Sequence, residues 1–268
     1  MRAQTFVAAL AALACTAAAP QPDWRPLDPA QTLVIDTSKG RVVVEMAPAF
    51  APLAVARVKQ LAREGLYDGL LFHRVIAGFV DQTGNPNNKD GGTSKYPDLP
   101  AEFSVRLEGP STVIVRRGDG VEGFAGAVPF AGVSAAEQAL GKDHRLRVWG
   151  AYCAGVAGMG RQAGIDTANS EIFFMRSSAR RLDHDYAVWG VVVQGVDVVR
   201  AMEAGEPPAD PDRMVRVRVA ADLPASEQPR VEVMNERGPA FRKMVAKIRA
   251  RRGAAFSVCD VQLPIRSH

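Results

Sequence analysis

Almost every apolar run in this chain is short and closed by a turn residue, and that limits the fold more than any other property. The segments "YCAGVAGM", "NSEIFFM", "YAVWGVVV" and "MVRVRVA" each carry only a few apolar positions. Runs of this length bounded by Gly, Asn, Asp or Pro read as strands rather than helices. In "TLVIDTSKGRVVVEM" the apolar residues flank Ser38-Lys39-Gly40, which predicts a hairpin over Leu33–Met46 with a tight glycine turn. Helical spacing occurs in "PLAVARVKQLAREG", opened by Pro52 and stopped by Gly65, and again at Val196–Glu203. Many short strands with two helices predict a mainly β fold, a closed or nearly closed antiparallel barrel whose helices cover the open ends.

At 268 residues, 47% hydrophobic and 23% charged, the chain has ordinary globular composition and room for one large domain with appendages. A net charge of +4 gives no reason to expect a nucleic-acid partner. Residues 1–19 combine Arg2, the apolar run Phe6–Ala14 and small residues up to Pro20, the pattern of a secretory signal too short to span a bilayer. This implies an exported, periplasmic protein. The sequence "ALAC" ending at Cys15 loosely resembles a lipid-attachment site and keeps a lipid anchor as the lesser alternative. Residues 20–31, with several prolines, read as a linker. Beyond the signal, Cys153 and Cys259 are compatible with a disulfide in an exported chain and equally with two buried thiols.

The stretch "GLYDGLLFHRVIAGFVDQTGNP", Gly65–Pro86, places His73 and Arg74 inside an apolar, glycine-punctuated segment predicted as strands Leu70–Ile76 and Phe79–Gln82. Arginine is almost never fully buried unless paired, so Arg74 is either an ion-pair member or a group held at a cleft wall. Residues 104–148 are less regular. Gly118, Gly120 and Gly123 have G-x-G-x-x-G spacing there, but no helix pattern opens after them, so a glycine-rich hairpin is preferred over a nucleotide site. The tail adds a strand at Val231–Met234 and "AFRKMVAKIRARRG". Phe241, Met244, Val245 and Ile248 form a stripe there against Arg242, Lys243, Lys247, Arg249, Arg251 and Arg252. A basic amphipathic helix over 241–252 either docks on the body with a solvated outer face or makes weak contact with an anionic membrane surface.

Taken together, "YDGLLFHRVIAGFVDQTGNP", "GGTSKYPDLPAEF", "NSEIFFM" and "LDHDYAVWGVVVQGVDVV" resemble the cyclophilin family of peptidyl-prolyl cis/trans isomerases. The resemblance implies a closed eight-stranded barrel capped by two α-helices over residues 32–221. Residues 104–148 form an insertion in it, and 222–268 form a C-terminal extension. It implies a groove on the outside of the barrel that takes proline-containing polypeptides, with Arg74 as catalytic arginine. By position, His73, Phe79, Val80, Gln82, Glu171, Phe173, Leu182 and Tyr186 are the implied substrate-binding residues. The apolar ones would form a proline pocket, with Val80 where methionine is usual. Peptide-bond rotation needs no nucleophile, metal or cofactor, since the barrier comes from amide conjugation.

Three positions depart from the family pattern: Glu171 where glutamine is usual, Arg161 near a usual asparagine, and Arg181 in place of a tryptophan or another apolar residue. An acid beside Arg74 could pre-organise it or compete with substrate, and Arg161 could offset that acid. The departures also keep a second reading open, a module that binds proline-containing segments with little turnover.

Overall fold

The computed structural model describes residues 21–88, 91–141 and 145–267. The predicted signal and Cys15 lie outside them. In chain order, β1 (Trp24–Pro26) leads into β2 (Thr32–Thr37) and β3 (Gly40–Met46), the expected hairpin, in which Thr37 pairs with Gly40. The segment expected to be a linker therefore contains structure: β1 is a strand at the edge of a small sheet. An edge strand tolerates Pro26, whose missing N–H would break an interior ladder.

Helix α1 (Pro52–Arg63) has Pro at its first turn and buries Ala54, Val55, Val58, Leu61 and Ala62. Its free N-terminal N–H groups are capped at long range: Leu53 and Ala54 donate to the two oxygens of Glu102 at 2.9 and 2.8 Å. Gly65 follows at φ +71°, a left-handed stop that side-chain-bearing residues avoid. Next come β4 (Arg74–Ile76) and β5 (Val80–Thr83), paired across Ala77-Gly78-Phe79.

The insertion folds as its own five-stranded sheet. Its elements are β6 (Val105–Arg106), β7 (Thr112–Arg117), β8 (Gly120–Ala125), β9 (Val128–Gly132), α2 (Ala135–Leu140) and β10 (Arg147–Gly150), and its strands lie in the order β6-β10-β9-β8-β7. The three spaced glycines lie in the β7–β8 hairpin. A Cβ on Gly123 would stand 2.2 Å from the Thr112 carbonyl oxygen, so close strand packing requires that glycine.

The chain then returns to the barrel through β11 (Val156–Met159), β12 (Ile172–Met175), β13 (Val188–Gln194), α3 (Val196–Arg200) and β14 (Met214–Val219). Eight strands curl in the order β14-β2-β3-β13-β11-β12-β5-β4. The two edges meet through one Leu71–Arg213 bridge, with Met214 N–H donating to Leu70 O at 2.9 Å and Phe72 N–H to Asp212 O at 2.8 Å. Closure thus rests on a short contact rather than on a full ladder.

In the tail, β15 (Val231–Met234) pairs with both β1 and β16 (Ile265–Ser267), flanking α4 (Pro239–Arg252). Val43 on the outer side of β3 packs with Leu27, Val231 and Val233, while Leu33, Ile35, Val42 and Val44 point into the barrel. Covering both faces explains why Val42, Val43 and Val44 run apolar without alternation. The apolar stripe of α4 is not available to a membrane surface: Phe241 and Val245 are buried, and the Phe241 ring meets Phe124 of β8 edge-on at 5.7 Å. Cys153 and Cys259 form a disulfide that joins this tail to the barrel. Among the described residues, no helix is long and apolar enough to cross a membrane.

Two large apolar clusters result. One fills the barrel around Trp189, Tyr67 and Phe174. The other lies outside it, joining Val80, Phe173 and Met175 of the barrel wall to Phe124 and Phe130 of the insertion and Phe241 and Val258 of the tail.

Candidate active site

The outer cluster reaches solvent at a cleft of about 220 Å³ lined by Arg74, Phe79, Val80, Gln82, Gly160, Arg161, Phe173, Leu182 and Tyr186. Seven expected site residues are therefore brought together. Their placement follows from local structure. Arg74 and Gln82 are cross-strand partners in β4 and β5, and Phe173 pairs with Gln82 from β12. Residues directly opposite in a ladder share a face, so this register puts the polar wall and the aromatic floor on the same outer side. Phe173 stacks on Tyr152 at 5.7 Å and receives the edge of Tyr186 at 5.6 Å. A Cβ on Gly158 would lie 2.3 Å from the Phe173 ring, so the ring can sit where it does only against glycine.

The polar wall is a relay. Arg74 Nη1 donates to Gln82 Oε1 at 2.9 Å, and Gln82 Nε2 donates to Glu171 Oε1. Glu171 Oε2 accepts from the Gly91 N–H at 2.9 Å. A carboxylate can only accept, so Glu171 fixes the NH₂ end of Gln82 toward itself and turns the amide oxygen to Arg74. Room for the acid comes from two glycines: Cβ atoms on Gly92 and Gly160 would come within 2.3 Å of the Glu171 backbone and carboxylate respectively. A second contact holds Arg74 from outside, Nε donating to Glu206 Oε2 at 2.7 Å. Nη2 has no partner among the described residues.

Two expected substrate-binding residues lie behind the wall. Glu171 is 2% exposed and His73 is 5% exposed, and neither lines the cleft. His73 alternates with Arg74 along the chain and so takes the opposite face, where its Nε2 lies 3.6 Å from Glu171 Oε2. From there Glu171 reaches the cleft only through the Gln82 amide, and His73 faces Glu171. Arg161 does not offset Glu171 either: it pairs with Asp185 and stacks over Tyr186 at 4.7 Å, becoming part of the cleft itself. Sequence reasoning missed Glu206, because a contact across 132 positions leaves no local signal.

The chain is similar to known proteins along most of its length. Residues 32–219 match the family model described as cyclophilin type peptidyl-prolyl cis-trans isomerase/CLD. A probable peptidyl-prolyl cis-trans isomerase of Brucella suis is 31% identical over 211 residues, covering 73% of this chain and 85% of the relative. A peptidyl-prolyl cis-trans isomerase of Schizosaccharomyces pombe is 26% identical, over 68% of this chain and 94% of its own. The crystal structure of the cyclophilin AquaCyp293 from Hirschia baltica superposes with a TM-score of 0.83 at 32% identity. It covers 91% of this chain and 92% of the other, reaching beyond the family segment.

Proposed function

The chain belongs to the cyclophilin-type peptidyl-prolyl cis-trans isomerase family and is an enzyme of that kind; from this premise we propose that Arg74 stabilises the twisted X-Pro amide and that the clients are proteins folding in the cell envelope. Rotation about the peptide C–N bond faces roughly 18–20 kcal/mol because conjugation is lost on the way. At the top of that barrier the proline nitrogen has regained its lone pair and accepts a hydrogen bond that the planar amide cannot. A guanidinium fixed beside the bond therefore binds the twisted state more strongly than either planar state, which is the condition for acceleration. The apolar floor of Phe79, Phe173, Leu182 and Tyr186 is suited to hold the ring of proline while the preceding residue turns.

The observation that carries this reading is the relay. Gln82, locked by Glu171, holds one arm of the guanidinium, while Nη2 stays unpartnered at the edge of an apolar cleft. The test is isomerisation of a short X-Pro peptide by wild type, Arg74→Ala and Glu171→Gln. We expect Arg74→Ala to lower kcat/KM by roughly 10²–10³-fold, the usual cost of one transition-state donor. Glu171→Gln should lower it by less than about tenfold, since a glutamine can still accept from Gln82 but no longer dictates its orientation. Turnover retained in Arg74→Ala, or a gain in Glu171→Gln, would overturn the assignment.

Export is supported by the signal-like N-terminus and by the Cys153–Cys259 disulfide, a bond that persists in oxidising compartments. Mass spectrometry of the protein from fractionated cells should find an N-terminally shortened, disulfide-bonded chain in the envelope fraction. A full-length, reduced chain in the cytosol would refute it.

A further inference from the structure

Four guanidinium groups stand around the cleft, and three are matched by acids. Arg74 pairs with Glu206, Arg161 with Asp185, and Arg180 with both Glu122 and Asp183. Arg181 is different. It is exposed at the turn Arg180–Leu182, its guanidinium carbon lies 4.3 Å from the centroid of the Phe79 ring, and no carboxylate among the described residues pairs with it. Phe79 lines the cleft, so the ring fixes an uncompensated positive charge at the rim. The planar fork still offers its N–H donors outward in a geometry that fits a carboxylate.

We propose that Arg181 makes this enzyme selective for proline segments carrying an acidic side chain next to the proline. The proposal rests on the cleft being the isomerase site. A glutamate or aspartate flanking a proline seated over Phe79 meets the free fork of Arg181, whereas a lysine there meets a like charge. The contact is solvent-exposed, so it discriminates by a modest factor that salt weakens.

The test is kcat/KM in a protease-free exchange assay for peptides that differ only at the residue before proline (Glu, Ala or Lys), and for a second set varied at the residue after it. Wild type should favour Glu over Lys by about fivefold at low salt in one of the two placements, a margin that shrinks toward one at high salt. Arg181→Ala should bring that ratio close to one, and Arg181→Glu should invert it. A ratio near one for wild type in both placements, or one that survives both substitutions, would overturn the proposal. The ratio is independent of the overall rate. Failure of the Arg74 reading appears instead as turnover retained in Arg74→Ala, and if no peptide turns over, the same order read from peptide affinities by titration decides the case.

Discussion

Arg74 and Arg180 have nearly equal side-chain exposure, 30% and 34%, yet they sit in opposite surroundings. Arg180, in the seam between barrel, insertion and tail, donates Nη1 to Glu122 at 2.8 Å and Nε to Asp183 at 2.6 Å, two carboxylates that are themselves largely covered. Arg74, in the groove, is held by a neutral amide and by Glu206, a carboxylate that is 53% exposed and therefore screened by water. The first arrangement neutralises a cation to join elements. The second orients a cation against a single water-screened carboxylate, so the arginine we propose as catalytic is marked by how weakly it is compensated.

The seam also connects what lies far apart in sequence. Glu122 of β8 accepts from Arg180 with one oxygen and from the Val258 N–H of the tail at 2.9 Å with the other. The disulfide crosses the same seam, joining cysteines separated by 106 in sequence. Cross-linking a loop of that order removes chain entropy worth about 4–5 kcal/mol from the unfolded state. The largest expected effect is therefore on stability: Cys153→Ser with Cys259→Ser should lower unfolding free energy by several kcal/mol in denaturant titration. Relative kcat/KM of the folded fraction should stay within about threefold, because the relay behind Arg74 does not touch the seam and only the Arg180–Leu182 turn links seam and cleft. A folded double variant with strongly reduced kcat/KM would show that groove and seam are one unit, and would break the comparison.

The two regions differed equally in how far the sequence disclosed them. The groove was legible because the family resemblance rests on a motif that one hairpin holds together, with Arg74, Phe79, Val80 and Gln82 inside nine residues; the strand's period of two did not single them out. The same rule, applied to adjacent positions, would have moved His73 to the hidden side. Glu171 precedes β12, and only the two glycines packed on it reveal that it is walled in. The seam was nearly silent: Trp24–Pro26 reads as linker because Pro26 and the prolines around it mask a strand, and Glu122 inside "GVEGFAGAVPF" signals a buried charge without naming Arg180. Long-range pairing carries no local periodicity. The spacing of the cysteines left bridged and free thiols equally open, and their proximity decided it.

A third pair sharpens the contrast. Asp81, between Val80 and Gln82 on β5, turns away from the groove, is fully buried, and accepts from Arg176 Nη1 at 3.1 Å, while its Oδ2 has no partner among the described residues. Burial raises its pKa to about 7 against the pull of Arg176, with Asp212 adding to the rise. Between the ordinary carboxyl range and about pH 7, the folded chain keeps a proton there that the unfolded chain has lost. Stability from this group is therefore full at low pH, falls as pH climbs from about 4 to about 7, and is level above. Asp81→Asn should flatten that part of the stability profile, measured by denaturant titration at a series of pH values. An unchanged slope would mean that Arg176 compensates Asp81 as fully as Glu122 and Asp183 compensate Arg180.

The smallest effects come from removing one negative charge beside each arginine of the opening pair. Glu206→Gln keeps a hydrogen-bond acceptor at an exposed position, so stability should change by less than about 0.5 kcal/mol. Its kcat/KM should hold or rise by up to about twofold, since a screened competitor for the guanidinium has gone. Glu122→Gln replaces two accepting oxygens with one, so either Arg180 or the Val258 N–H loses its partner, at a cost of about 1–2 kcal/mol. The turn Arg180–Leu182 carries Leu182 into the cleft, so the looser anchor should appear as a KM raised by less than about threefold at unchanged kcat. The split between the two variants is the informative quantity. Were Glu206→Gln to lose stability and Glu122→Gln to lose kcat, the exposed acid would be joining elements and the covered one would be tuning the reaction, the reverse of what their exposures dictate.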